Sequence, residues 1–329
     1  MLLNRRRALG ILAAAPTLAI GPKSSAYAQD TVAYPTKEIH APCGFPPGSA
    51  NDLIVRYFAD QLSKLAGKPV VVENRPGAFG NIATETVAKA KPDGLTIYIS
   101  GGASFAAAPF VFKKLSYAPL KDFDFVTTLG ALAFVLLVDT KLPIHSVAEL
   151  TAHLKARDGK GAYASATLPS LVASELYLKS IGVKAAAVNY RTTADSMNDL
   201  LSGSVDFTFA SASFATAQVG NGKLRALAIT APQRMAAIPD WPTMIQEGIP
   251  GYDFVEFWLV SVPSGTPAPI IEKLEGWYRQ IVELPETAKF LTRVGMDPLT
   301  GSPTTVRKMV EDHTRAWKEY AVLAKIEPM

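Results

Sequence analysis

From Glu38 to Thr230 the chain alternates between short apolar or β-branched runs and amphipathic stretches of helical length, and this alternation limits the fold more than any other feature. Strands joined through helices pair mostly in parallel, and parallel sheets need helices to cover them, so the pattern argues for an α/β fold. The first half reads as strand Glu38–Cys43, helix Asn51–Ala66, strand Pro69–Glu73, helix Asn81–Ala90 and strand Leu95–Ser100. Ile54, Tyr57, Phe58, Leu62 and Leu65 form the apolar stripe of the first helix. After residue 130 the same grammar returns. Strands are expected at Phe134–Asp139, Gly161–Ser165, Ala185–Tyr190, Val205–Ala210 and Leu224–Thr230, with helices at Ser146–Lys155, Ser170–Gly182 and Asp195–Ser202. Three tail helices follow, at Pro267–Val282, Glu286–Val294 and Pro303–Ala324, each with a proline or a Ser/Thr opener.

The 329 residues are 48% apolar and 19% charged, ample for packed cores and unlike a disordered chain. Cys43 is the only cysteine, which excludes a disulfide scaffold; it reads as a small buried residue at a strand end. His40, His145, His153 and His313 are too scattered to make a local metal-ligand cluster. Of the 33 Lys and Arg, four (Arg5, Arg6, Arg7 and Lys23) lie in residues 1–28, a segment without an acid, so the remainder balances the 29 Asp and Glu. No basic face is left for nucleic acid. The leader itself reads as an export signal. Three arginines precede the apolar run Ala8–Ile20, and Ala26-Tyr27-Ala28 supplies a small-x-small cleavage site, with cleavage expected after Ala28. Asn4 to Gly10 also resembles a twin-arginine signal, and either export route fits. No later segment is long enough to span a bilayer; Gly130–Val138 is strand-sized.

Four loops carry the candidate chemistry: Phe45–Asn51, Asn74–Gly80, Ser165–Ser170 and Tyr190–Ala194. All are small, polar or glycine-bearing, and each precedes a helix. A helix start presents unpaired N–H donors and a partial positive charge, a ready site for an anion. Charge-assisted hydrogen bonds contribute ~1.5–3 kcal/mol each, so four or five from two lobes reach about −8 kcal/mol after association costs. A carboxylate can thus be held without Arg or Lys. Each loop taken singly also reads as a plain helix cap. Asp52 and Arg56 read as a helix-surface pair, Arg191 as a solvated cation, and Asp206 as a strand-end turn residue or a functional acid. No G-x-S-x-G, S-x-x-K, P-loop or G-x-G-x-x-G motif is present.

The stretch Phe45-Pro46-Pro47-Gly48 with Asp52 and Arg56 resembles the opening of the tripartite tricarboxylate transporter receptors, the Bug-type solute-binding proteins. Val71–Ala78, Ala90–Gly94, Asp199–Asp206, Gly222–Ala228, Pro239–Thr243 and Gly265–Pro267 match in order over nearly the whole chain after the leader. The resemblance implies a two-lobe, Venus-flytrap fold of the type II periplasmic-binding-protein kind, each lobe a mostly parallel sheet flanked by helices. It implies lobe 1 at residues 33–130 plus 257–329, lobe 2 at 131–256, and hinge crossovers near Gly130 and Glu256–Trp258. It further implies a monomeric, periplasmic, non-enzymatic receptor that needs no cofactor or metal. Such a receptor passes a small organic carboxylate to the large and small subunits of a membrane permease. Carried over by motif, the ligand contacts are Pro47, Gly48, Ser49, Ala50 and Ala78 on one side and Ser165, Ala166 and Thr167 on the other; Phe79, Ser104, Asn189, Asp206 and Ala210 complete the candidate set. The chain departs from the family at Leu168, Pro169, Val172, Asn189, Ala210 and Phe79; the lost acid and the added ring point to a less polar ligand. An exported hydrolase using the same cleft, or a sensory co-receptor for a membrane kinase, are the alternative readings.

Overall fold

Val70–Asn74 opens on three β-branched residues, which favour extended backbone, and it pairs in parallel with Ile39–Cys43, residue for residue from Ile39 opposite Val70 to Cys43 opposite Asn74. The computed structural model describes residues 33–328; the expected export signal over 1–28 and its cleavage after Ala28 lie outside the described residues. In chain order the elements are β1 (Ile39–Cys43), α1 (Ala50–Ala66), β2 (Val70–Asn74), α2 (Asn81–Ala88), β3 (Tyr98–Gly101), α3 (Ala103–Ala106), α4 (Ala108–Val111) and β4 (Phe123–Asp139). Next come α5 (Val147–Ala156), β5 (Gly161–Ser165), α6 (Leu168–Ile181), β6 (Ala185–Asn189), α7 (Met197–Ser202), β7 (Phe207–Ser211), α8 (Ala212–Gly220) and β8 (Leu224–Ile229). The chain closes with β9 (Val255–Pro263), α9 (Ala268–Glu283), α10 (Pro285–Val294), β10 (Met296–Pro298) and α11 (Pro303–Leu323). Among the described residues no helix is long and apolar enough to cross a membrane.

The α/β architecture expected from the alternation is present, as a mixed sheet. The helix-linked ladders β1–β2, β5–β6 and β5–β7 are parallel. The antiparallel part comes from β4 and β9, which pair with each other; β9 also takes β3, and β4 takes β7, β8 and β10. β4 is 17 residues long, far beyond the strand expected at Phe134–Asp139. Gly130, expected near a crossover, lies inside this strand. A Cβ there would stand 2.8 Å from Met296 Cε and 2.9 Å from Asp297 O, so the glycine is what lets β10 lie against β4. The two expected crossovers are partners in one ladder, with Gly130 opposite Trp258, Ala131 opposite Phe257 and Leu132 opposite Glu256.

Local signals set the helices. Ser49 caps α1 by accepting from Asp52 N–H at 3.2 Å, and Gly67 ends it in the left-handed region at φ 63°. Ile54, Val55, Phe58 and Leu62 are buried against β1, at ~1.5–3 kcal/mol each, whereas Leu65 of the expected stripe is 40% exposed. α11, expected to belong wholly with the first part, bridges two cores. Val306 and Val310 pack with Phe105 and Phe123, but Trp317 packs with Tyr163, Tyr177 and Phe254. Asp297 adds a second tie between the chain's end and its middle, its carboxylate accepting from Ala236 N–H at 2.9 Å and Ala237 N–H at 2.8 Å.

Candidate ligand-binding site

Strand direction decides where the loops lie. β2 and β1 run in parallel, and β1 lies beside the approach to β3 through a parallel bridge between His40 and Thr96, with Ile97 N–H donating to His40 O at 2.9 Å. Their C-terminal ends, Asn74, Cys43 and Gly101, therefore share one edge, and α1, α2 and α3 start from it. β6, β5 and β7 are likewise parallel, ending at Asn189, Ser165 and Ser211, where α6, α7 and α8 follow. Gly101 is opposite Trp258, which is opposite Gly130 of β4; Ser211 is opposite Phe134 of β4. The two loop edges thus meet one strand at positions only four residues apart. This is the geometry in which ligands bind outside the carboxyl ends of α/β strands. Among the described residues no hydrogen bond joins Phe45–Ala50 or Gly77–Gly80 to Ser165–Ser170.

The first edge is held by one buried acid. The pairing of Asp52 with Arg56 expected from sequence is present, but Asp52 is 1% exposed and so lies beneath the surface rather than on it. Its Oδ2 accepts from Gly48 N–H at 2.8 Å and Arg56 Nε at 2.9 Å, and its Oδ1 from Asn74 Nδ2 at 2.6 Å. Asn74 Nδ2 also donates to Phe45 O at 3.0 Å, while Arg56 Nη2 donates to Asn74 Oδ1 at 2.6 Å. Burial alone raises the Asp52 pKa, but the hydrogen bonds from Arg56, Asn74 and Gly48 outweigh it and hold the carboxyl below its ordinary range. Burial likewise pushes the Cys43 thiol up, in keeping with an inert, packed cysteine. The network fixes the loop that carries Pro47, Gly48, Ser49 and Ala50. With Ser49 capping Asp52 N–H, the N–H groups of Ala50 and Asn51 are left without a partner among the described residues. Both cations beside this edge are committed, Arg56 to Asp52 and Asn74, and Arg75 to Glu73 at 2.9 Å.

Gly44 and Gly80 bring the start of α2 against the end of β1. A Cβ on Gly44 would stand 2.8 Å from Gly80 Cα and 3.1 Å from Gly80 O. Thr84 donates to Gly80 O at 3.2 Å and shares a 2.9 Å hydroxyl contact with the buried Tyr98, which pins the helix start. Ala78 and Phe79 lie on this rim and are exposed; Ser104 lies in α3, just past the end of β3, and is half-buried.

On the second edge, Ser165 is buried and pairs with Asn189, which is exposed; Ala166 is half-buried and Thr167 exposed. Thr167 caps α6 by accepting from Ser170 N–H at 3.2 Å. Pro169 has no N–H, so this terminus offers fewer donors than α1. Arg191 is exposed, as its solvated reading expected.

Two candidates fall elsewhere. Asp206 precedes β7, at the opposite end of the strand from this edge. It is 3% exposed, and its oxygens accept from His153 Nε2 at 2.9 Å, Arg157 Nη1 at 3.0 Å and Ala162 N–H at 2.8 Å. These three bonds tie α5 to β5, a structural task. Ala210 does reach the edge, but its side chain is 2% exposed and packs with Ala133, Val135 and Ala212; β7 is covered on both faces, with Phe209 buried in the opposite core. Sequence reasoning passed over Gly44, and it named Asn74 and Gly80 only as the ends of a loop and Glu256 only as part of a hinge crossover. Glu256, 5% exposed at the β4–β9 crossing, accepts from Ala103 N–H at 3.3 Å and contacts His313 Nε2 at 3.1 Å, fixing the start of α3. The spacing Ser49-x-x-Asp52, a helix-capping pattern, was the one local signal for the Asp52 network.

Residues 54–326 match the sequence family described as the tripartite tricarboxylate transporter family receptor, TctC. The chain belongs to this family. As a TctC-family receptor it is 30% identical over 323 residues to the UPF0065 protein in the tcbD–tcbE intergenic region of Pseudomonas sp. (strain P51), covering 97% of this chain and 94% of that one. Among solved structures, Rpa4515 of R. palustris with adipate superposes with a TM-score of 0.81 at 30% identity, covering 90% of the receptor and 100% of its neighbour. MatC of Rhodopseudomonas palustris with bound malate gives a TM-score of 0.75 at 26% identity, over 87% and 98% of the two chains. The type II binding-protein fold and the receptor family expected from sequence are thereby shown, and the family consists of solute-binding receptors rather than enzymes.

Proposed function

We propose that the protein is an exported, periplasmic, monomeric receptor that clasps a small organic carboxylate between two lobes and delivers it to the large and small subunits of a tripartite membrane permease. The lobes are residues 33–130 plus 257–329 and residues 131–256, hinged where β4 and β9 cross; the end of α11 straps the first to the second. The single observation that supports this most is the convergence of two sets of strand ends on one stretch of β4, each set followed by helix starts. The neighbours solved with adipate and malate support a carboxylate as the ligand. Pro47, Gly48, Ser49, Ala50, Ala78, Phe79 and Ser104 would contact it from the first lobe, and Ser165, Ala166, Thr167 and Asn189 from the second. Ligand contacts supplied by both lobes exist only in the closed form, so binding shifts the population toward closure.

The test is to isolate the protein gently, identify by mass spectrometry the molecule it releases on denaturation, and return that molecule while recording small-angle scattering. An organic acid that is released unchanged and lowers the radius of gyration is expected. A chemically altered product, or an unchanged radius at saturation, contradicts the reading.

A further inference from the structure

Gly77, Ala78, Phe79 and Gly80 have φ of 127°, 46°, 51° and 88°, an unbroken run of left-handed backbone in which two residues are not glycine. A β-carbon in that region is strained. The run lifts the Phe79 ring off the protein. Phe79 is 57% exposed and makes no aromatic pair among the described residues, whereas Phe45 on the same edge leans on Trp258 with centroids 5.7 Å apart. Ile82, one helical step along, is 47% exposed. Arg56 and Arg75 beside this rim are already engaged, by Asp52 and Glu73, so Phe79 and Ile82 offer an incoming molecule hydrocarbon beside the backbone N–H groups and the Ser49 and Ser104 hydroxyls.

We propose that Phe79 determines specificity in this site, selecting carboxylates with a hydrocarbon body, aliphatic or aromatic, over short hydroxylated ones. This rests on the receptor reading above. The helix starts supply donors for the carboxylate, and the ring covers the carbon skeleton. A hydroxyl-bearing skeleton would lose its hydration against the ring and find no donor there in exchange. Covering ~55 Å² of apolar surface is worth roughly ten-fold in affinity.

The experiment is calorimetry of the purified wild type, F79G and F79Y with three probes: adipate, phenylacetate and malate. Glycine suits the φ of 51°, so F79G is compatible with the loop; circular dichroism melting of each variant confirms the fold. The wild type is expected to bind adipate or phenylacetate at least ten-fold more tightly than malate, the better of the two telling whether the body is aliphatic or aromatic. F79G is expected to shrink that preference about ten-fold, and F79Y to keep it. A wild type that prefers malate, or a preference unchanged in F79G, overturns the role of Phe79 and leaves the receptor reading standing. No binding of any of the three by folded wild type counts against the carboxylate receptor itself, and this proposal with it.

Discussion

Asp52→Ala is expected to destabilise the protein by roughly 2–4 kcal/mol and to abolish most ligand binding, because one buried carboxylate holds both the loop and its neighbours. Its removal takes the acceptor from Gly48 N–H and from Asn74 Nδ2, two groups otherwise half-buried, and frees the segment that presents Ala50 and Asn51 N–H. Arg56 is about half-exposed and can be re-hydrated, so the loss stays below that of a fully buried ion pair. Asp52→Asn is expected to recover little, since its amide would point donors at Arg56 or Gly48. The pH dependence carries the same signature. The folded pKa of Asp52 lies below the ordinary 3.8, so its contribution is fully present above that value and is lost as pH falls through the lower folded one. Wild type should therefore lose stability steeply on acidification below about pH 4, and Asp52→Ala should lose less over the same interval. Denaturant melts of both proteins between neutral and acidic pH measure this. Equal acid sensitivity in the two would remove Asp52 from its assigned place.

Gly44→Ala comes next in expected effect, and it acts on the site itself. The added methyl meets Gly80 backbone atoms at 2.8, 3.1 and 3.4 Å, with no flexible side chain to move aside. The start of α2 must retreat from the end of β1, and the rim carrying Ala78 and Phe79 moves with it. The expected cost is ~1–3 kcal/mol of stability from overpacking and at least ~30-fold in ligand affinity, the equivalent of losing one or two charge-assisted hydrogen bonds. Gly67→Ala is the matched control: its Cβ would meet nothing within 4 Å, and it lies at the far end of α1, so the strain at φ 63° should lower stability without moving affinity. Parallel calorimetric titration and thermal melts separate the two. An affinity unchanged in Gly44→Ala would show that the α2 start takes no part in binding.

The sequence disclosed what is local or periodic. Val70–Val72 is a β-branched run that pairs as a strand, and Ser49, Thr167 and Thr192 cap helices with contacts three residues away, so strands, helix starts and the four loops could be read directly. What stayed hidden is long-range. Nothing near Asp206 announces His153, Arg157 or Ala162, which lie 53, 49 and 44 residues distant, and an acid beside an expected ligand strand is easily taken for a ligand group. Ala210 lies near the expected strand end but is packed into a core, and nothing local in the sequence says that β7 is covered on both faces, with Phe209 in one core and Ala210 in the other. β4 and β9 pass from one half of the sheet to the other, so neither belongs to a helix-linked repeat, and β9 left no alternation signal to read. The approach of Gly44 to Gly80 shows only once two loops are placed side by side.

The central claim is that backbone amides from both loop edges grip one carboxylate. The most direct measurement is an amide-resolved NMR titration of the isotopically labelled protein with the acid that it releases on denaturation. The N–H resonances of Ala50, Asn51 and Leu168 are expected to shift together and saturate at one ligand per chain. Shifts confined to one edge, or a perturbation centred on the side chains around Asp206, would contradict it.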